Sequence, residues 1–84
     1  MKNFVKMKGV CAMGATIEID DDNKLVNVEF LGGCDGNHKG LNELCKGRDV
    51  DEIIEKLEGI TCGRRSTSCP DQLAKALRLM KENA

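Results

Sequence analysis

The hydrophobic pattern of this chain changes within residues 25–46, LVNVEFLGGCDGNHKGLNELCK. Before Gly32–Gly33, apolar and polar residues alternate, and this period of two is typical of a β-strand. After the two glycines, apolar residues recur every three or four positions, which is typical of helices. The sequence therefore predicts a sheet built before Gly32 and a helical layer built after Gly33.

Three strands are predicted before the change of period. Residues 25–32, LVNVEFLG, form the last one, with Val26, Val28 and Phe30 on one face and Leu25 and Leu31 on the other. The polar turn DDDNK precedes it. Residues 15–20, ATIEID, form the middle strand with both isoleucines on one face, and residues 3–8, FVKMKG, form a weaker edge strand.

Three helices are predicted after it, near residues 38–46, 50–58 and 69–82. Asn37 is a possible N-cap of the first, and Gly47 follows its end. Asp49 and Glu52 resemble a capping box at the second, which Gly59 ends.

The third helix has a strong start signal. Ser68 or Cys69 can cap it, and Pro70 fits its first turn.

Strands followed by helices indicate an α+β two-layer domain, with a three-stranded antiparallel sheet covered on one face by three helices. Residues 1–84 are predicted to form this single domain.

Composition excludes some classes of partner. The chain has 84 residues with 13 basic and 14 acidic side chains, so its net charge of -1 gives no reason to expect a nucleic acid or an anionic membrane as partner. No apolar run is long enough for a signal peptide or a membrane span, so a cytoplasmic protein with reduced thiols is expected. A domain this small gains stability from a metal, a partner or a second copy.

Cysteine is unusually frequent for such a chain. Four of the five cysteines fall in predicted loops or at helix starts, and in a reducing compartment they indicate ligands or redox groups: Cys11, Cys34, Cys62 and Cys69. Cys45 lies inside a predicted helix beside leucines and is expected to be a small core residue. A thiol at a helix start ionises more readily because the helix dipole favours an anion there. The spacing C-x6-C does not match a zinc-ribbon knuckle.

Other polar residues have simpler interpretations. His38 is expected to cap a helix or to be exposed, with metal ligation as the alternative. Arg64 and Arg65 are expected to form a solvated basic loop, the alternative being that they neutralise thiolates or meet a phosphate. Asp71 is expected to be a capping acid of the last helix, the alternative being a general base.

The run CGRRSTSCPDQLAKAL, preceded by GVC and GGCDGN, resembles the TSCPD domain, named for residues 67–71. Such domains occur as small bacterial proteins and at the C-terminal end of adenosylcobalamin-dependent ribonucleotide reductases. A chain of 84 residues is too short for reductase catalysis. The resemblance implies an accessory role: a metal-stabilised module, with zinc as the expected metal, that docks on a ribonucleotide reductase or another protein.

A fainter resemblance is to U-type iron–sulfur scaffold proteins, carried by VCAMGATIEID, NVEFLGGCDGN, KGRDVDEIIEKL and SCPDQLAKAL in that order. It maps the three cluster cysteines of that family onto Cys11, Cys34 and Cys69, and Cys62 would supply a fourth ligand. If the fold is shared, the four thiols converge at one end of the sheet. Three interpretations therefore stay open: an accessory module with a thiolate–zinc site, an iron–sulfur scaffold or carrier, and a thiol–disulfide relay.

Overall fold

The computed structural model describes residues 1–10, 12–33, 35–64 and 66–82. These residues form three strands followed by three helices: β1 (Lys2–Lys6), β2 (Gly14–Ile19), β3 (Leu25–Leu31), α1 (Asp35–Cys45), α2 (Val50–Leu57) and α3 (Cys69–Glu82). The predicted α+β class and the order of the elements are confirmed.

The sheet is antiparallel throughout, with strand order β1-β2-β3. Ala15, Ile17 and Ile19 of β2 are buried, whereas Thr16 and Glu18 between them are half-buried. The strand therefore alternates, as its sequence predicts, and its isoleucines enter the core. The core also contains apolar side chains of β3, α2 and α3, including Leu25, Val28, Val50, Ile53, Leu73 and Leu77.

The faces predicted for the start of β3 are wrong. Glu18 pairs with Asn27 but Ile19 pairs with Leu25, so Val26 is an extra residue in the ladder. A bulge of this kind reverses the alternation of side chains along the strand. As a result Leu25 is only 1% exposed and Val26 is 40% exposed.

The outer edge of β3 is covered by α1 and the turn that follows it. The Asn42 side chain of α1 accepts a hydrogen bond from Val28 N at 2.9 Å and donates one to Asn27 Oδ1 at 2.9 Å. Gly47 N donates to Leu25 O at 2.8 Å. These bonds satisfy backbone groups that an open sheet edge would expose, and they fix α1 beside β3.

The helix starts differ in how well the sequence marks them. Asp49 caps α2, and its side chain accepts from Asp51 N at 2.9 Å. Glu52 instead bonds Arg48 at 3.3 Å, so the capping box is only half formed. Asn37 is not a cap, because α1 begins at Asp35 and contains it.

Across the described ranges, none of the three helices has the length and apolarity that crossing a membrane requires.

Candidate functional site

Residues 59–68, here called the 59–68 loop, connect α2 to α3 and are closed by two hydrogen bonds. Cys62 N donates to Thr67 O at 3.2 Å. Ser68 Oγ donates to Ile60 O at 2.7 Å. The two sides of the loop are therefore tied together, and Cys62 is exposed beside the loop tip.

The start of α3 follows directly from its sequence. Ser68 Oγ accepts a hydrogen bond from Asp71 N at 3.1 Å, so Ser68 is the N-cap of the two that were predicted. Pro70 lies in the first turn, where a missing N–H costs nothing. Cys69 is the first residue of α3, at the positive end of the helix dipole, and it is half-buried.

Asp71 does not act as the capping acid that was predicted. Asp71 is only 1% exposed. Its carboxylate accepts hydrogen bonds from Gly59 N at 2.7 Å and from Thr67 Oγ1. It also forms an ion pair with Lys75 Nζ at 2.9 Å. Burial on its own raises the pKa of Asp71. The hydrogen bonds from Thr67, Gly59 and Lys75 outweigh it and hold the pKa below its usual value.

The segment after β1 lies against the same loop. Gln72 Nε2 donates to Thr67 Oγ1 at 2.9 Å, and Gln72 Oε1 accepts from Lys8 N at 3.3 Å. Gly9 has φ +75°, and a Cβ there would lie 3.0 Å from Thr67 Cγ2. The positive φ and the close approach to Thr67 both favour glycine at this position. Residues 8–9 are therefore held beside Thr67.

An apolar groove of about 490 Å³ runs between α1 and the start of α3. Cys62 and Cys69 both line it. On the α1 side it is lined by Gly36 and Gly40, where a Cβ would meet nothing within 4 Å, and by Leu44, which is 71% exposed. Two cysteines therefore line one open, largely carbon-lined groove.

The predicted site residues have separate outcomes. Cys62 and Cys69 share the groove, while Cys11 and Cys34 lie outside the described residues. Within the residues that are described, no three or more histidine, cysteine or acidic side chains are arranged to hold a metal ion. Cys45 is 6% exposed in the core, which confirms its predicted role, and burial raises the pKa of its thiol.

His38 is neither a cap nor exposed, so that prediction is wrong. It is 7% exposed in α1, and its ring stacks on Phe30 with ring centroids 4.1 Å apart and an interplanar angle of 21°. This stacking packs α1 on the end of β3. Arg64 is exposed on the loop, as a solvated basic residue would be, and Arg65 lies outside the described residues.

Two features of the site were not predicted. One is the set of hydrogen bonds that joins Asp71 to Gly59, Thr67 and Lys75. The sequence indicates it only weakly, through the four-residue separation of Thr67 and Asp71 across a helix start. The other is the groove, which the sequence indicates only through Gly36 and Gly40, four residues apart on one helix face.

Comparison with known protein families identifies the family of this chain. The chain matches the TSCPD domain family over residues 2–81, which is nearly its whole length, and it belongs to that family. Searches of curated proteins and of solved structures gave no match.

Proposed function

We propose that this TSCPD domain is an accessory module whose Cys11, Cys34, Cys62 and Cys69 thiolates bind a metal, with zinc as the first candidate. The observation that carries the proposal is the groove that Cys62 and Cys69 both line. Cys69 also begins a helix, where the dipole favours the ionised thiol that binds zinc.

The neighbours of Cys34 in the chain support its inclusion. Gly36, two residues after it, lines the groove together with Cys62 and Cys69. Gly32 and Gly33, just before it, both have positive φ, 79° and 82°, so the chain turns sharply at the end of β3. Cys34 follows this turn directly in the sequence, which supports it as a candidate for the third thiolate.

The residues that flank Cys11 approach the same end of the sheet. Met13 N donates to Leu31 O at 2.8 Å, and Met7 N donates to Met13 O at 3.0 Å. Gly9 lies against Thr67, so both sides of Cys11 are held near the segments that carry the other three cysteines.

Four cysteine thiolates suit a structural zinc ion, and they also suit an iron–sulfur cluster. Two thiols that line one groove, one of them exposed, also suit a thiol–disulfide relay. The family resemblance suggests an accessory role and names a ribonucleotide reductase as the first partner to test. Co-elution of the module with an adenosylcobalamin-dependent reductase would support that link.

Metal analysis of protein purified anaerobically with reductant distinguishes the three functions. The proposal predicts a colourless protein with about one zinc per chain. A brown protein that contains iron and sulfide would favour the scaffold instead. A metal-free protein that forms a reversible Cys62–Cys69 disulfide would favour the relay and contradict the metal site.

A further inference from the structure

The buried carboxylate of Asp71 is not one of the proposed ligands, yet donors from Gly59, Thr67 and Lys75 meet at it. We propose that Asp71 is a positioning residue for the thiol pair: it holds the 59–68 loop so that Cys62 stays at the groove beside Cys69. The inference rests on the proposed function for its effect on metal binding, but its geometric part can be tested without metal.

The first step is that one carboxylate joins both ends of the loop. Gly59 N, at the loop's beginning, donates to Asp71 Oδ1 at 2.7 Å. Thr67 Oγ1, near its end, donates to Asp71 Oδ2. Cys62 lies between these two attachment points, so its position depends on both of them.

The second step is that Thr67 transmits the constraint to Cys62. Its hydroxyl donates to Asp71, and its carbonyl oxygen accepts from Cys62 N at 3.2 Å. The same residue therefore contacts the carboxylate through its side chain and the thiol-bearing residue through its backbone. Loss of the carboxylate would release Thr67 and, through it, Cys62.

The third step is that the site requires a carboxylate rather than a side chain of similar shape. Three donors converge on Asp71, from Gly59, Thr67 and Lys75. An ionised carboxylate offers acceptors on both oxygens, whereas an amide has one acceptor oxygen and turns an NH₂ group toward a donor. Asp71→Asn therefore preserves shape but mismatches the hydrogen bonds.

The metal test compares Asp71→Asn with Asp51→Asn. Asp51 also lies in a first helical turn and also pairs with a lysine, Lys81. Among the described residues its carboxylate bonds Asn23 and Lys81, and it does not line the groove. Zinc affinity is measured by competition with a chelator, and cobalt(II) absorption reports thiolate coordination, both at a temperature where circular dichroism shows a folded protein. We expect Asp71→Asn to bind about 10–100-fold more weakly, as is typical when a group that orients a ligand is lost. Asp51→Asn should match the wild type.

A second pair of variants covers the case in which Asp71→Asn does not fold. Thr67→Val keeps the shape of the side chain and removes the hydroxyl, while Thr67→Ser keeps the hydroxyl. The inference predicts weaker zinc binding and altered cobalt(II) absorption in Thr67→Val, with Thr67→Ser close to wild type. A purely structural role predicts lower stability in Thr67→Val with unchanged cobalt(II) spectra in the folded protein.

The metal-free test uses a short bifunctional thiol reagent, with the Cys62–Cys69 link identified by mass spectrometry of the digested protein. Slower linking in folded Asp71→Asn or Thr67→Val than in the wild type supports the inference. If the wild type binds no metal, the proposed function fails and this rate alone decides the inference. Unchanged linking in both variants overturns it, and so does unchanged zinc affinity in a metal-binding protein.

Discussion

Ser68→Ala removes a hydroxyl that makes two hydrogen bonds, one with the first turn of α3 and one with the first half of the 59–68 loop. Ser68 Oγ accepts from Asp71 N at 3.1 Å as the cap of α3, and it donates to Ile60 O at 2.7 Å. A lost N-cap costs about 0.5–2 kcal/mol, and a lost hydrogen bond to a carbonyl about 0.5–1.5 kcal/mol. We therefore expect the free energy of unfolding to fall by about 1–3 kcal/mol, which lowers Tm by on the order of 10 °C in a domain of this size.

The assay for this prediction is urea and thermal unfolding followed by far-ultraviolet circular dichroism, because the chain has no Trp or Tyr for fluorescence. A chelator and a thiol reductant keep metal binding out of the comparison. Ser66→Ala is the matched control, since Ser66 is exposed in the same loop and should change stability by less than about 0.5 kcal/mol. Equal stabilities for Ser68→Ala and Ser66→Ala would refute the interpretation of Ser68 as a structural clamp.

Three further changes test other parts of the structure. Leu77→Ala, in a fully buried residue of α3, should lower the free energy of unfolding by about 2–5 kcal/mol, and Leu79→Ala, 48% exposed, should have little effect in the same urea titration. The pKa of Asp71 is lowered in the folded state, so its contribution is complete above about pH 4 and is lost as pH falls through the folded pKa. The free energy of unfolding of Asp71→Asn should therefore fall less steeply with decreasing pH than that of the wild type. Glu58, whose pKa is lowered by Arg78, contributes part of this pH dependence in both proteins. An identical pH dependence in the two proteins would be inconsistent with this role of Asp71. Cys45→Ser should cost about 1–3 kcal/mol in urea unfolding, because it buries a poorly paired hydroxyl.

Local signals in the sequence were sufficient for most of the fold. The period change at Gly32–Gly33 separates strands from helices, and Asp49 and Ser68 mark helix starts because their side chains accept from backbone N–H groups. The face of Leu25 was missed because a bulge depends on pairing between strands, and one extra residue reverses every side chain beyond it.

The site was less predictable because it depends on contacts between distant segments. Cys62 and Cys69 were candidates because one lies in a predicted loop and the other at a predicted helix start, and both line one groove in the structure. The burial of His38 depends on its stacking against Phe30, and the role of Asp71 depends on the N–H of Gly59, twelve residues earlier. Neither contact has a period or a motif that a single sequence reveals.

The central claim is tested most directly by zinc content, measured on protein purified anaerobically with reductant, for the wild type, Cys69→Ser and Cys45→Ser. The account predicts about one zinc per chain in the wild type and in Cys45→Ser, because Cys45 is buried in the core and is not among the residues that line the groove. It predicts loss of zinc and of stability in Cys69→Ser, since metal binding contributes to the folding of a small domain. Equal zinc content in Cys69→Ser and the wild type would contradict the claim.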